Sequence, residues 1–166
     1  MEWQDGKKKF IQTWGTMGGD WGINRTMAQV HALLMISPAA LTAKDIEGEL
    51  EISSGNANMN IRMLMDWGLV HKELVPGDRK EYFVAEKDMW KVVRQIIINR
   101  KKKELEPMLK VLEDISGFEE NCPEAESLSK AIHDIKMFSS KADNILDVLV
   151  KSDSNWFVSK FMTMVK

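Results

Sequence analysis

The chain has 166 residues, 44% of them hydrophobic, and a formal net charge of −2, which suits one folded domain or a compact domain with an extension. No apolar run approaches the ~20 residues of a bilayer-spanning helix, and the basic start Lys7-Lys8-Lys9 lacks the apolar segment of a signal peptide; a cytoplasmic protein without membrane attachment is expected. One cysteine, Cys122, excludes an internal disulfide framework and an all-cysteine zinc site, and beside Pro123 it reads as a small, half-buried residue sooner than as a redox sensor.

The first predicted helix covers Trp3–Met17, with Phe10, Trp14 and Met17 on one face and Gly18-Gly19 as its stop. A second is expected over Thr26–Ile36, with Met27, Val30, Leu33 and Leu34 along one side and Pro38 beyond its end. At Thr42 a capping signal appears, because Asp45 stands three residues on. It opens a short amphipathic helix with Ala43, Ile46 and Leu50 on the apolar side and Glu47, Glu49 and Glu51 off it. After Ile52, the hydroxyls of Ser53-Ser54 can cap the next helix. There Ala57, Ile61, Leu64 and Met65 form a stripe for burial, and Gly68 after Trp67 is placed to end the helix in a left-handed conformation.

Two short helices with a tight turn between them make a helix-turn-helix, a DNA-docking geometry. The second helix has an unusual outward face: Gly55, Asn56, Met59, Arg62, Met63 and Asp66, with Asn58 and Asn60 on the flanks. A helix chosen for solubility would carry Glu and Lys there. Asn can pair bidentately with adenine and Arg with guanine, and a recognition helix reads bases with its first turns. The plainer alternative is a cluster in which Asn56 and Asn58 bond to local backbone.

Beyond Gly68 the period changes to that of strands. Leu69–Val75 and Lys80–Val84 face each other across Pro76-Gly77, the central pair of a type II turn. Such a hairpin needs packing, expected through Leu69, Val75 and Phe83. Arg79 and Lys80 would stand at its tip, in reach of a phosphate or a narrow minor groove.

Asp88–Ile115 continues as a long helical pattern through Trp90, Val93, Ile97, Leu105, Met108 and Leu112, with Pro107 expected to kink it. Its run Arg100-Lys101-Lys102-Lys103 suits a solvated face, or a phosphate-facing surface beside the hairpin. Pro123–Lys151 gives a further helix through Leu128, Ile132, Ile135, Phe138, Ile145 and Leu149, and Asn155–Val165 a last one bearing Trp156, Phe157, Phe161, Met164 and Val165. Apolar surface of that extent at a chain terminus must dock, either back on the chain's own long helix or on a second subunit. Residues 1–110 hold 17 Lys+Arg against 15 Asp+Glu and residues 111–166 hold 6 against 10, so the acidity lies away from the helix-turn-helix.

The segment from Ile52 to Trp90 resembles the signature region of the GbsR/MarR-type winged-helix transcriptional regulators. The likeness rests on Ile52, Ser53, Gly55, Asn56, Met59, Asn60, Arg62, Leu64, the runs Asp66–Val70 and Gly77–Lys80, Tyr82 and Trp90. Upstream, Trp21-Gly22-Ile23-Asn24-Arg25-Thr26 also fits; the likeness extends from Trp14 to Glu106 and is only architectural beyond. The chain departs at Ser54, where that family commonly has a lysine and one phosphate contact is thereby weakened, at Asn58, where serine is common, and at Pro76. The resemblance implies a dimer built by helices outside the winged domain, and in some relatives a response to choline-like molecules. Trp21 and Trp90 are candidates for an aromatic pocket of that kind, although each suits a core or interface position first.

Together these features predict a mainly α fold. An N-terminal helix over 1–23 serves packing or dimerisation, a winged helix-turn-helix DNA-binding domain covers 24–87, and long helices over 88–166 supply a dimerisation region with room for an effector. The expected function is sequence-specific regulation of transcription, with repression the expected mode, by a homodimer on a palindromic operator in double-stranded DNA. The expected DNA contacts are Ser53, Ser54, Asn56, Asn58, Met59, Asn60, Arg62 and Met63 on the helix, with Arg79 and Lys80 on the hairpin. No nucleophile–base pair, phosphate-cradling glycine loop or metal-ligand spacing occurs, and His31, His71 and His133 lie far apart; neither an enzyme nor a cofactor or metal is expected. The rival reading is a winged helix that binds protein in place of DNA.

Overall fold

Two compact units divide the chain, residues 1–92 and residues 93–166. The computed structural model describes residues 1–115 and 122–152, and the predicted last helix, Asn155–Val165, lies outside the described residues. The first unit contains α1 (Trp3–Asp20), α2 (Arg25–Ile36), α3 (Ala43–Leu50), α4 (Ser54–Asp66) and a small antiparallel sheet, against which α2, α3 and α4 pack. Its strands β1 (Leu41–Thr42), β2 (Val70–Glu73) and β3 (Tyr82–Ala85) run in the order β1-β3-β2. The two-residue β1, which the cap at Thr42 hides in the sequence, pairs Leu41 with Phe83 and Thr42 with Tyr82.

The centre of this unit is α2. Met27, Ala28, Val30, His31, Ala32, Leu33 and Leu34 are all buried, as a helix apolar on nearly every side requires. Against it pack α1, α4 and β3. Asn24 caps it, its side chain accepting from the Met27 N–H at 3.0 Å.

Gly18-Gly19 does not stop α1. The helix runs on to Asp20 and closes at Gly22, whose φ is 75°. There Ile23 N–H donates to Gly18 O at 2.8 Å and Gly22 N–H to Gly19 O at 3.0 Å, a left-handed glycine terminus. Gly18 serves close approach instead: a Cβ on it would lie 2.5 Å from Ala28 Cβ, and one on Gly15 would lie 2.6 Å from Gln29 Cγ. Small residues there let α1 and α2 meet almost backbone to backbone.

The predicted capping box is present before α3. Thr42 Oγ1 accepts from Asp45 N–H at 3.2 Å and Asp45 Oδ2 accepts from Thr42 N–H at 2.8 Å. The Thr42 hydroxyl, donating to Asp45 Oδ2 at 2.6 Å, and then the Thr42 N–H hold the Asp45 carboxyl below its usual range. At the other end Glu51 adopts φ 53°, which lets Ile52 N–H reach Glu47 O at 3.2 Å and turns the chain into α4.

In the second unit the chain leaves α5 (Met89–Arg100) through a π-helical turn (Lys101–Leu105) into α6 (Glu106–Asp114), and later forms α7 (Pro123–Lys151). Pro107 therefore does not kink one continuous α-helix; it sits in the first turn of α6. Proline crowds the carbonyl four residues back and offers no N–H, and the wider π turn before it accommodates both defects. The basic run is not uniformly solvated. Lys101 meets Asp143 at 2.9 Å and also pairs with Asp147, joining the π turn to α7, and these partners, Asp147 first, raise its pKa. Half-buried Cys122 caps α7, its Sγ accepting from Ala125 N–H at 3.4 Å.

Candidate nucleic-acid interface

Local chemistry fixes both ends of α4. Ser53 Oγ accepts from Asn56 N–H at 3.3 Å at the start. At the end Gly68, with φ 70°, donates to Met65 O at 2.9 Å while Leu69 N–H donates to Leu64 O at 2.9 Å, a Schellman closure. The inward face consists of Ala57, Asn60, Ile61 and Leu64. Asn60 belongs to that face, whereas Met65, expected on it, is only half-buried.

That burial corrects one expected contact. Asn60 is 0% exposed and cannot touch a base edge. The reason is geometric: position 60 lies three residues after Ala57 and four before Leu64, inside the arc that α2 and α3 cover. Ser53, Ser54, Gly55, Asn58, Met59 and Arg62 are exposed, and Asn56 and Met63 are half-buried. Asn58 turns its amide back on its own helix, Nδ2 donating to Ser54 O at 2.9 Å, as the plainer reading of that residue holds. Asn60 Nδ2 donates to Asn56 O at 2.8 Å and to Asn56 Oδ1 at 2.7 Å.

The hairpin pairs Val70 with Ala85, His71 with Val84, Lys72 with Phe83 and Glu73 with Tyr82. Pro76-Gly77 forms the expected turn, with Gly77 at φ 85° and Asp78 N–H donating to Val75 O at 3.1 Å. Leu69 and Phe83 are buried as expected, while Val75 is 36% exposed and packs less than predicted. Strand pairing begins at Tyr82, so Lys80 belongs to the loop with Arg79, and both are exposed. Asp78 organises that loop: Oδ1 accepts from Lys80 N–H at 3.0 Å and Oδ2 from Tyr82 Oη–H at 2.8 Å. The Lys80 N–H and then the Tyr82 hydroxyl hold the Asp78 carboxyl low, and the same bond to Asp78 raises the Tyr82 phenol. The sequence signals this clamp only through an Asp at the turn and a Tyr at the first strand position, and the expected contacts did not include it.

Trp21 is 62% exposed at the end of α1, and Trp90 is half-buried near the start of α5. Among the described residues, no group of three or more His, Cys, Asp or Glu could hold a metal ion, and no helix is long and apolar enough to cross a membrane.

Residues 21–81 match the sequence model of the MarR family. A solved structure described as the crystal structure of a transcriptional regulator is similar over 87% of this chain and 95% of that chain, with a TM-score of 0.63 and 20% sequence identity. At that identity the likeness establishes the fold. No curated protein sequence matches the chain.

Proposed function

From the match of residues 21–81 to the MarR-family model we propose that the protein regulates transcription by reading an operator with the outward face of α4 and holding the DNA backbone with its wing. The composition of that face carries the reading. Ser53, Ser54, Gly55, Asn58, Met59 and Arg62 are exposed, with Asn56 and Met63 beside them, and no Glu or Lys interrupts them. Small polar donors at a helix N-terminus suit phosphate oxygens and base edges. Arg79 and Lys80, held by the Asp78 clamp, supply backbone charge.

A homodimer completes the proposal, because two recognition helices must stand about 34 Å apart to enter successive major grooves. A palindromic operator follows from that symmetry. Apolar material for the contact is exposed in two places: Trp3, Phe10 and Met17 at seven-residue spacing on α1, and Val111, Phe138 and Ile145 on α6 and α7. Repression is the simplest outcome of occupying such a site, and a small effector would act by changing the spacing of the two heads.

Selection of sequences from a random duplex pool, followed by anisotropy titration, tests the proposal. An inverted repeat bound roughly 10³-fold or more above scrambled DNA is expected. Recovery of no sequence would leave the winged helix as a protein-binding module.

A further inference from the structure

We propose that Asn60 is a positioning residue that turns the Asn56 amide so that it selects guanine, and not adenine, at one position of each half-site. This rests on α4 being a recognition helix. Asn60 is fully buried, yet its Nδ2 is committed to Asn56, 2.7 Å from Oδ1 and 2.8 Å from the backbone oxygen. A free carboxamide recognises adenine by accepting from N6 and donating to N7 at once. Here the Asn56 oxygen is drawn toward the buried side of the helix, and its Nδ2 hydrogens are the group left for DNA. With the oxygen engaged on the inner side, an amide that presents its donors outward fits the two acceptors of guanine, N7 and O6, whereas adenine N6 would meet it donor to donor.

A second observation separates this role from core packing. The Asn60 Oδ1 is buried with no partner among the described residues. A residue needed only to fill that space would not leave a polar atom unmatched, since leucine has nearly the same shape and no such atom. The asparagine is explained by the bond it donates to Asn56.

Sequence selection with the full chain, as wild type, Asn60→Leu, Asn56→Ala and the double variant, tests this. Asn60→Leu should melt at or above the wild-type temperature, because it removes the unmatched oxygen. It should also move the preference at one position per half-site from guanine toward adenine by roughly fivefold or more, leaving the other positions and the salt dependence unchanged. Asn56→Ala should relax that same position, and adding Asn60→Leu should then change nothing further. Should Asn60→Leu fail to fold, Asn60→Ser, too short to reach Asn56 Oδ1, is held to the same base-preference criteria, with no demand on its melting temperature. A folded variant with unaltered preferences overturns the proposal and leaves Asn60 structural. Wild-type selection of adenine at the position governed by Asn56 overturns it as well. Failure of the wild type to select any sequence defeats the DNA-binding reading itself, and this proposal with it.

Discussion

The two units treat their apolar side chains in opposite ways. In residues 1–92, Val30, Ala32, Ile46 and Ala57 have no exposed surface, and α2 is enclosed by its neighbours. Among the described residues of 93–166 only Ile132 and Ser139 are buried, while Phe138 and Ile145 are 73% and 63% exposed. The first unit has a closed core of its own. The second presents a face that becomes stable when something covers it, and a second copy of the chain is the occupant the proposed function calls for.

Breaking that face should have the largest effect. Phe138→Glu with Ile145→Glu is expected to give a monomer by light scattering, and operator affinity should fall roughly 10²–10⁴-fold because only one half-site can then be held. Hydrogen exchange of α2 should not change. A double variant that remains dimeric would move the contact to the Trp3–Phe10–Met17 stripe.

The closed unit is tested by pH. Burial lowers the His31 pKa from 6.5 to about 4. Between those values the unfolded chain binds a proton that the folded unit refuses. Stability is therefore complete above about 6.5 and falls as pH drops toward 4, by roughly 3 kcal/mol. Denaturant titrations at the two ends of that window should show the loss, and His31→Gln should remove most of the slope. An unchanged slope would place the acid sensitivity elsewhere.

Helix contact in the same unit gives a smaller effect. Gly18→Ala should destabilise by about 1–3 kcal/mol, because its new Cβ meets Ala28. Gly19→Ala, which meets nothing within 4 Å, should be neutral or stabilising by up to about 1 kcal/mol. Equal melting temperatures for the two variants would contradict the close approach of α1 and α2. The smallest change is Glu51→Gly, which relieves a side chain at φ 53° and should add about 0.5–1 kcal/mol in chemical denaturation relative to Glu51→Ala.

Features set by a few neighbouring residues were legible in the sequence. The Thr42–Asp45 box, the Ser53 cap, the Gly68 terminus and the Pro76-Gly77 turn all involve bonds spanning five residues or fewer. What the sequence hid was decided at longer range. Gly18-Gly19 has the composition of a stop, and only the approach of α2 shows that Gly18 is a contact surface. Asn60 lies on the margin of the apolar stripe, where polarity alone argues for exposure, and the covering helices decide otherwise. Pro107 announced a disturbance but not its form, because a kink and a π turn resolve the same clash.

The central claim is that α4 and the wing divide the work of base reading and backbone holding. Anisotropy titrations of Asn56→Ala and Arg79→Ala on the selected operator and on scrambled DNA, over a series of salt concentrations, test it most directly. Asn56→Ala should cost about 1–3 kcal/mol on the operator and nothing on scrambled DNA. Arg79→Ala should weaken both and reduce the salt slope by about one unit for each phosphate left without its cation. If both variants keep wild-type affinity and slope while remaining folded, α4 is not a reading head.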